Sequence, residues 1–292
     1  MGLLRNLVGF QKTSFGIKFM IFEEHKLFEL LREWNVKAAR EYMSLHIPDT
    51  LTKFYSLTHD ENLNDKKIET LANNCNWFDY SYNQNDPFDM RMIYVDKEAV
   101  LKAGLPHEAY ECQKNFLEEL KRKLLICSFV DSDYNNLPMW AYYANSHRGY
   151  CVRYKVNRKG MFFRVLYSET SGPITSLFLQ YLASCDAHAE DKGSEIVRAT
   201  YEYAIQVFLS TKHLSWKHEN EYRIIFPQIK DVSKRISNRL TGLEILDITI
   251  GLNCEEKYKQ KIIQIASAKK IPCYQICLDN KNFLVREQVG EN

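Results

Sequence analysis

The stretch Trp216-Lys217-His218-Glu219-Asn220-Glu221-Tyr222-Arg223-Ile224-Ile225-Phe226 decides how this chain is read. Its second half, Tyr222 to Phe226, combines aromatic and β-branched residues and reads as a strand. A period of two then puts Glu219, Glu221 and Arg223 on one face and Tyr222, Ile224 and Phe226 on the other. Two carboxylates sharing a face repel, which tends to raise a pKa. That cost is tolerable on a wet edge, or useful in a site where an acid stabilises a cationic transition state. The same pattern also describes a solvent-facing strand in which Arg223 neutralises Glu221.

Working outward, helical patterns cover about Ile174 to Ala187 and Ser194 to His213, and Tyr150 to Val156 reads as a strand that Met161 to Tyr167 completes as a hairpin. Leu124 to Val130 reads as a buried strand, preceded by a helix from His107 to Lys123. Pro138 to Ser146 is a short helix that Gly149 can close. Toward the C-terminus the pattern is strand Leu243 to Ile250, helix Glu255 to Lys270 and strand Pro272 to Leu278. The strands are too many and the helices too unevenly spread for a regular βαβ series. The fold class is therefore α+β, a mixed and mainly antiparallel sheet flanked by helices.

Before this lies one amphipathic helix from Phe22 to Met43, with Leu27, Leu30, Leu31, Trp34, Ala38 and Tyr42 at helical spacing. Pro48 ends it and strand Leu51 to Leu57 begins the main domain, so residues 1–47 form a helical extension and 48–292 the main domain. The apolar residues near Met1 are interrupted by Gln11 and Lys12 with no small-residue cleavage site, and Asn6 stands where a myristoylation motif needs Ser or Thr. A cytoplasmic location and no membrane are expected. The 292 residues carry 39 basic and 37 acidic side chains, so no global charge marks a duplex-DNA binder. The eight cysteines show neither zinc-type pairing nor the density of a disulfide scaffold, and no metal site is expected.

Two further segments carry candidate residues. Trp140, Tyr143 and His147 fall about one turn apart on one helix face, as a stacking wall for a nucleobase or nicotinamide would, and equally as core packing would. Asn85-Asp86-Pro87-Phe88-Asp89 combines turn formers with an aromatic anchor and reads as a rigid loop. There is no Walker loop, Gly-x-Gly-x-x-Gly or Gly-x-Ser-x-Gly, so triphosphatase, Rossmann dehydrogenase and serine hydrolase readings lack their elements.

In order, Lys53-Phe54-Tyr55, Asn85-Asp86-Pro87-Phe88-Asp89, Cys127-Ser128-Phe129, Met139-Trp140-x-x-Tyr143, His147-x-Gly149-x-Cys151 and Trp216-x-x-Glu219-x-Glu221-Tyr222-Arg223 resemble a bacterial family of unknown function over roughly Pro48 to Leu278. That layout is in turn similar to ADP-ribosyltransferases of the toxin or phage-defence kind. The resemblance implies an ADP-ribosyltransferase-like fold with NAD as co-substrate and RNA, or else protein, as acceptor. It implies that Glu221 stabilises the oxocarbenium-like cation while Glu219 orients the acceptor. It sets Lys53, Tyr55 and Ser128 against the dinucleotide, with Tyr143 or Trp140 on a ring. The first motif departs from its relatives, offering Lys53 or Tyr55 where many have His or Arg. An antitoxin and a chaperone are the partners the resemblance implies.

Two rival functions follow from the same residues. An NAD or glycoside hydrolase would use the carboxylate pair to activate water. A non-catalytic nucleic-acid or ligand-sensing module would use only the aromatic wall.

Overall fold

A computed structural model describes residues 22–84, 86, 88–132, 134–187, 193–227, 234–281 and 283–290. The segment 1–21, with the leader and lipidation motifs weighed above, lies outside them, as do Asn85 and Pro87 of the rigid loop.

The main sheet runs Leu284–Gln288, Cys273–Leu278, Leu243–Ile250, Tyr150–Val156, Thr50–Tyr55, Leu124–Val130, Glu221–Pro227, Phe162–Arg164. Every neighbouring pair along it is antiparallel except Leu243–Ile250 with Cys273–Leu278. The α+β class with a mixed, mostly antiparallel sheet is thus what forms. The central strands are apolar on both faces, as in Leu124–Val130, because helices cover the sheet.

Thr50–Tyr55 and Leu124–Val130 meet at a single residue pair, Thr52 with Val130, and then diverge. Further along, the short strand Asp79–Tyr80 takes the vacated edge, pairing with Ile126 and Leu125. Residues 53–55 on one side and 127–129 on the other therefore face each other across a split in the sheet.

Three expectations are corrected. Phe162–Arg164 does not return onto Tyr150–Val156, whose two edges are taken by Thr50–Tyr55 and Leu243–Ile250. It crosses to pair with Glu221–Pro227 instead, and Leu166–Ser168 runs parallel to Thr211–His213. The helix expected to reach His213 ends at Leu209, and its last residues become that short strand. The N-terminal helix is two helices, Glu24–Arg32 and Val36–Leu45, because Trp34 takes a left-handed φ of 54° and Asn35 caps the second by accepting from the Ala38 N–H at 3.1 Å.

These two helices share the core of the rest. Leu27, Leu31, Ala39, Met43 and Ile47 are buried among residues of the sheet and of the Gly193–Leu209 helix. Phe28 stacks on Phe208 at 5.4 Å, and the Thr200 hydroxyl donates to the Trp34 carbonyl at 3.1 Å. Among the described residues no helix is long and apolar enough to cross a membrane.

Candidate functional site

The split in the sheet opens into a cavity of ≈ 410 Å³, within the range typical of small-molecule sites. Its lining gathers Lys53 and Tyr55 from one side of the split, Ser128 and Phe129 from the other, Tyr143 from the helix Leu137–Tyr143, and Lys212, Glu219 and Glu221. The helix Glu61–Ala72 adds Lys66, Lys67 and Thr70. Six residues singled out in the sequence (Lys53, Tyr55, Ser128, Tyr143, Glu219, Glu221) thus converge although up to 168 positions separate them along the chain from Lys53 to Glu221.

Trp140 is the exception. It is fully buried beside the cavity, not in its lining: its ring meets Phe54 edge-on at 5.1 Å, stacks on His147 at 5.3 Å, and its indole N–H donates to the Tyr134 carbonyl at 2.7 Å. Trp140 belongs to the core, His147 lies beyond the end of the helix at Tyr143 with a left-handed φ of 64°, and of the three only Tyr143 lines the cavity.

The Glu219 and Glu221 carboxylates converge by a route the strand period does not describe. Glu219 ends a 3-10 helix, Leu214–Glu219, and Asn220 turns the chain at a left-handed φ of 44° before the strand starts at Glu221. Asn is among the few residues that visit that conformation readily, and here its amide is held from another strand's end, donating to Asp131 at 3.1 Å. The Lys212 ammonium draws the two carboxylates together, donating to Glu219 Oε2 at 2.6 Å and to Glu221 Oε2 at 3.0 Å.

Arg223 is not at the surface, and the solvent-facing reading of this strand is overturned. Its side chain has no exposed area, and Glu221 and Asp89 are also buried. The guanidinium donates from Nε to Glu221 Oε1 at 2.7 Å and from Nη2 to Glu221 Oε2 at 3.0 Å, and a second fork grips both Asp89 oxygens at 2.7 Å. The Glu221 N–H donates to the Tyr167 hydroxyl at 2.9 Å, and Ser128 hydrogen-bonds the Glu221 carboxylate.

The two glutamates are driven in opposite directions. Burial pushes the Glu219 carboxyl up from its ordinary 4.5 and the adjacent Glu221 charge adds to this, outweighing Lys212 and the hydrogen bond that the Tyr143 hydroxyl donates. Burial acts on Glu221 too, but Arg223 and then Lys212 overcome it and hold that carboxyl well below the carboxylate range. The two neighbouring carboxyls are thus pushed apart, Glu219 toward its protonated form and Glu221 toward its charged one.

Across the split the lining is basic. The Lys53 ammonium donates to the Ser128 carbonyl at 3.2 Å and lies over the Tyr55 and Phe129 rings. Lys67 donates to the Ser56 carbonyl at 2.6 Å and hydroxyl at 2.9 Å. Burial pushes the Lys67 ammonium down, Asp60 opposes this and Lys53 adds to it, so the two amines sense each other. Neither forms an ion pair with a carboxylate among the described residues. Tyr55 is more embedded: its hydroxyl donates to Asn76 at 2.6 Å and its ring stacks on Tyr150 at 4.8 Å.

Lys212 and Lys67 are functional candidates that the sequence did not offer, and Asp89 entered there only as part of a turn motif, with no role of its own. Lys212 lay inside an apparent helix, Asp89 inside a turn, and Lys67 in a polar helix with no distinguishing spacing.

The family model described as Protein of unknown function (DUF2971) matches residues 139–224, which include Met139, Tyr143, Lys212, Glu219 and Glu221 of the cavity and exclude Lys53, Tyr55, Asp89 and Ser128. No curated protein and no solved structure matches the chain.

Proposed function

We propose that this protein cleaves the nicotinamide–ribose bond of NAD and transfers ADP-ribose to a macromolecule. The observation that carries the reading is the Glu219–Glu221 pair beside the cavity, one carboxyl held ionised and the other pushed toward protonation. A leaving group that departs with the bonding electrons leaves positive charge on the ribosyl carbon and ring oxygen. A preorganised, buried carboxylate such as Glu221 stabilises that charge more in the transition state than in the ground state.

The remaining residues fit the same reaction. Glu219 accepts the proton of an acceptor hydroxyl or amine as its lone pair forms the new bond to the ribosyl carbon, and the electron pair of the broken bond leaves on nicotinamide. Lys53 and Lys67, whose ammonium groups face neutral oxygens, suit a diphosphate. Tyr143 offers a ring edge beside Glu219. The toxin setting, with its antitoxin and chaperone, rests on the resemblance alone.

The test is incubation of the purified protein with NAD labelled in the adenylate half, together with total cellular RNA in one reaction and total protein in another. Label in RNA supports the preferred acceptor and label in protein the second. Nicotinamide release without label in either makes it a hydrolase. No consumption of NAD under any condition overturns the reading and leaves a binding module.

A further inference from the structure

Three carboxylates and two cations share one buried network: Asp89, Glu219 and Glu221 against Lys212 and Arg223. Glu219, Glu221 and Lys212 face the cavity, and Asp89 does not. Asp89 is brought in by a turn that nothing in the catalytic assignment uses. The Asp86 carboxylate accepts from the Phe88 N–H at 2.9 Å and the Asp86 carbonyl from the Asp89 N–H at 3.0 Å, while Met90 takes a left-handed φ of 59° and sets its sulfur 3.6 Å from Arg223 Nη1.

A left-handed φ at a residue without a favourable local hydrogen bond persists only when its surroundings over-determine it. Here the turn ends in a two-pronged grip on Arg223 from 134 residues away along the chain. That grip changes what Arg223 does to Glu221. With Glu221 as its one acidic partner, the guanidinium would cancel the carboxylate. With Asp89 on its outer fork, the arginine is shared, and one negative charge is left in excess on the side that faces the cavity when all five groups are ionised.

We propose that Asp89 is a positioning residue that compensates the charge of Arg223, so that Glu221 stays fixed by the guanidinium yet presents a net negative charge to a cationic centre in the cavity. This deepens the reading above, since it names how the site acquires its preference for positive charge. It does not require the transfer step, because preference for a cation over its neutral counterpart is measurable by binding alone.

The probes are the N-methylnicotinamide cation and neutral nicotinamide, titrated calorimetrically into the full chain. The wild type binds the cation more tightly than the neutral amide. Asp89→Asn, which keeps the shape and one acceptor oxygen, reduces that preference about tenfold, the size expected when one nearby buried charge is lost. In NAD cleavage the same variant lowers kcat/KM by about tenfold or more, since the lost interaction favours positive charge both in the bound pyridinium and in the transition state.

A buried arginine with one acidic partner removed can unfold the chain, so Asp89→Asn is also combined with Arg223→Gln. That pair removes both charges together, leaves Lys212 facing two glutamates, and restores the cation preference. Equal loss of affinity for cation and neutral amide in Asp89→Asn, or an unchanged preference in the folded variant, overturns the proposal. Failure of the double variant to regain the preference lost in the single one also overturns it. If the wild type binds the cation preferentially but consumes no NAD, the functional reading fails while the assignment of Asp89 stands.

Discussion

Glu219 and Glu221 stand two positions apart and titrate in opposite senses, so they answer differently to substitution. A carboxyl whose pKa is raised on folding binds its proton more tightly in the folded chain. The stability it contributes is present below its ordinary range and is lost as pH rises through the raised value. Glu221 has the opposite sign: its contribution is present above the ordinary range and disappears only as pH falls through the lowered value. Glu219→Gln removes the first loss. Its stability relative to wild type therefore increases as pH is raised from 4.5, which urea midpoints at stepped pH would show; a pH-independent difference would contradict the assignment. In the reaction, the same variant loses acceptor labelling and keeps NAD cleavage. Arg223→Met tests the buried network from its centre. It strands Asp89 and Glu221 without their shared cation and should cost about 3–5 kcal/mol in urea unfolding, far beyond the ~1 kcal/mol ceiling of an exposed pair.

At the scale of elements, the two N-terminal helices are part of the core. Leu31 is 2% exposed and packs among sheet and helix residues, so Leu31→Ala should destabilise by about 2–5 kcal/mol, the usual cost of a buried Leu truncation. Removal of residues 22–47 would take Leu27, Leu31, Ala39, Met43 and Ile47 out of the core together and uncover the apolar surface they pack against. At about 1.5–3 kcal/mol for each large side chain, that rivals the whole stability of a typical domain. A chain starting at Pro48 should be aggregated in size-exclusion chromatography, and a soluble, cooperatively folding one would contradict this packing. Much of the secondary structure was legible because runs such as Leu124–Val130 and Leu243–Ile250 are apolar enough to declare themselves. Partners were not. Phe162–Arg164 looks like a hairpin return until the edges of Tyr150–Val156 are seen to be occupied, and the apolar period runs through Trp34 without revealing the left-handed turn there.

At the scale of the molecule, the split sheet explains why the site was only partly readable. Strand order sets Thr50–Tyr55 beside Leu124–Val130, and their divergence past Thr52 and Val130 makes the cavity. Motif residues with distinctive chemistry, Lys53, Ser128, Tyr143, Glu219 and Glu221, could be picked out one at a time. Asp89 and Lys212 could not, because what marks them is burial against partners reached only through the fold. Arg223 looked exposed for the same reason: alternating charge is the pattern of a wet strand face, and it is the Asp89 fork, added to the bonds to Glu221, that makes burial tolerable. In the proposed reaction the ionised Glu221 carboxylate beside this cavity drives cleavage of NAD. That role is tested most directly by nicotinamide release from NAD, measured on the folded wild type and on Glu221→Gln, a substitution that keeps size and hydrogen bonding and removes the charge. Release by the wild type and a loss of roughly a hundredfold in kcat/KM in the variant, about 3 kcal/mol of barrier, is the expected result; wild-type turnover by a folded Glu221→Gln protein would contradict it.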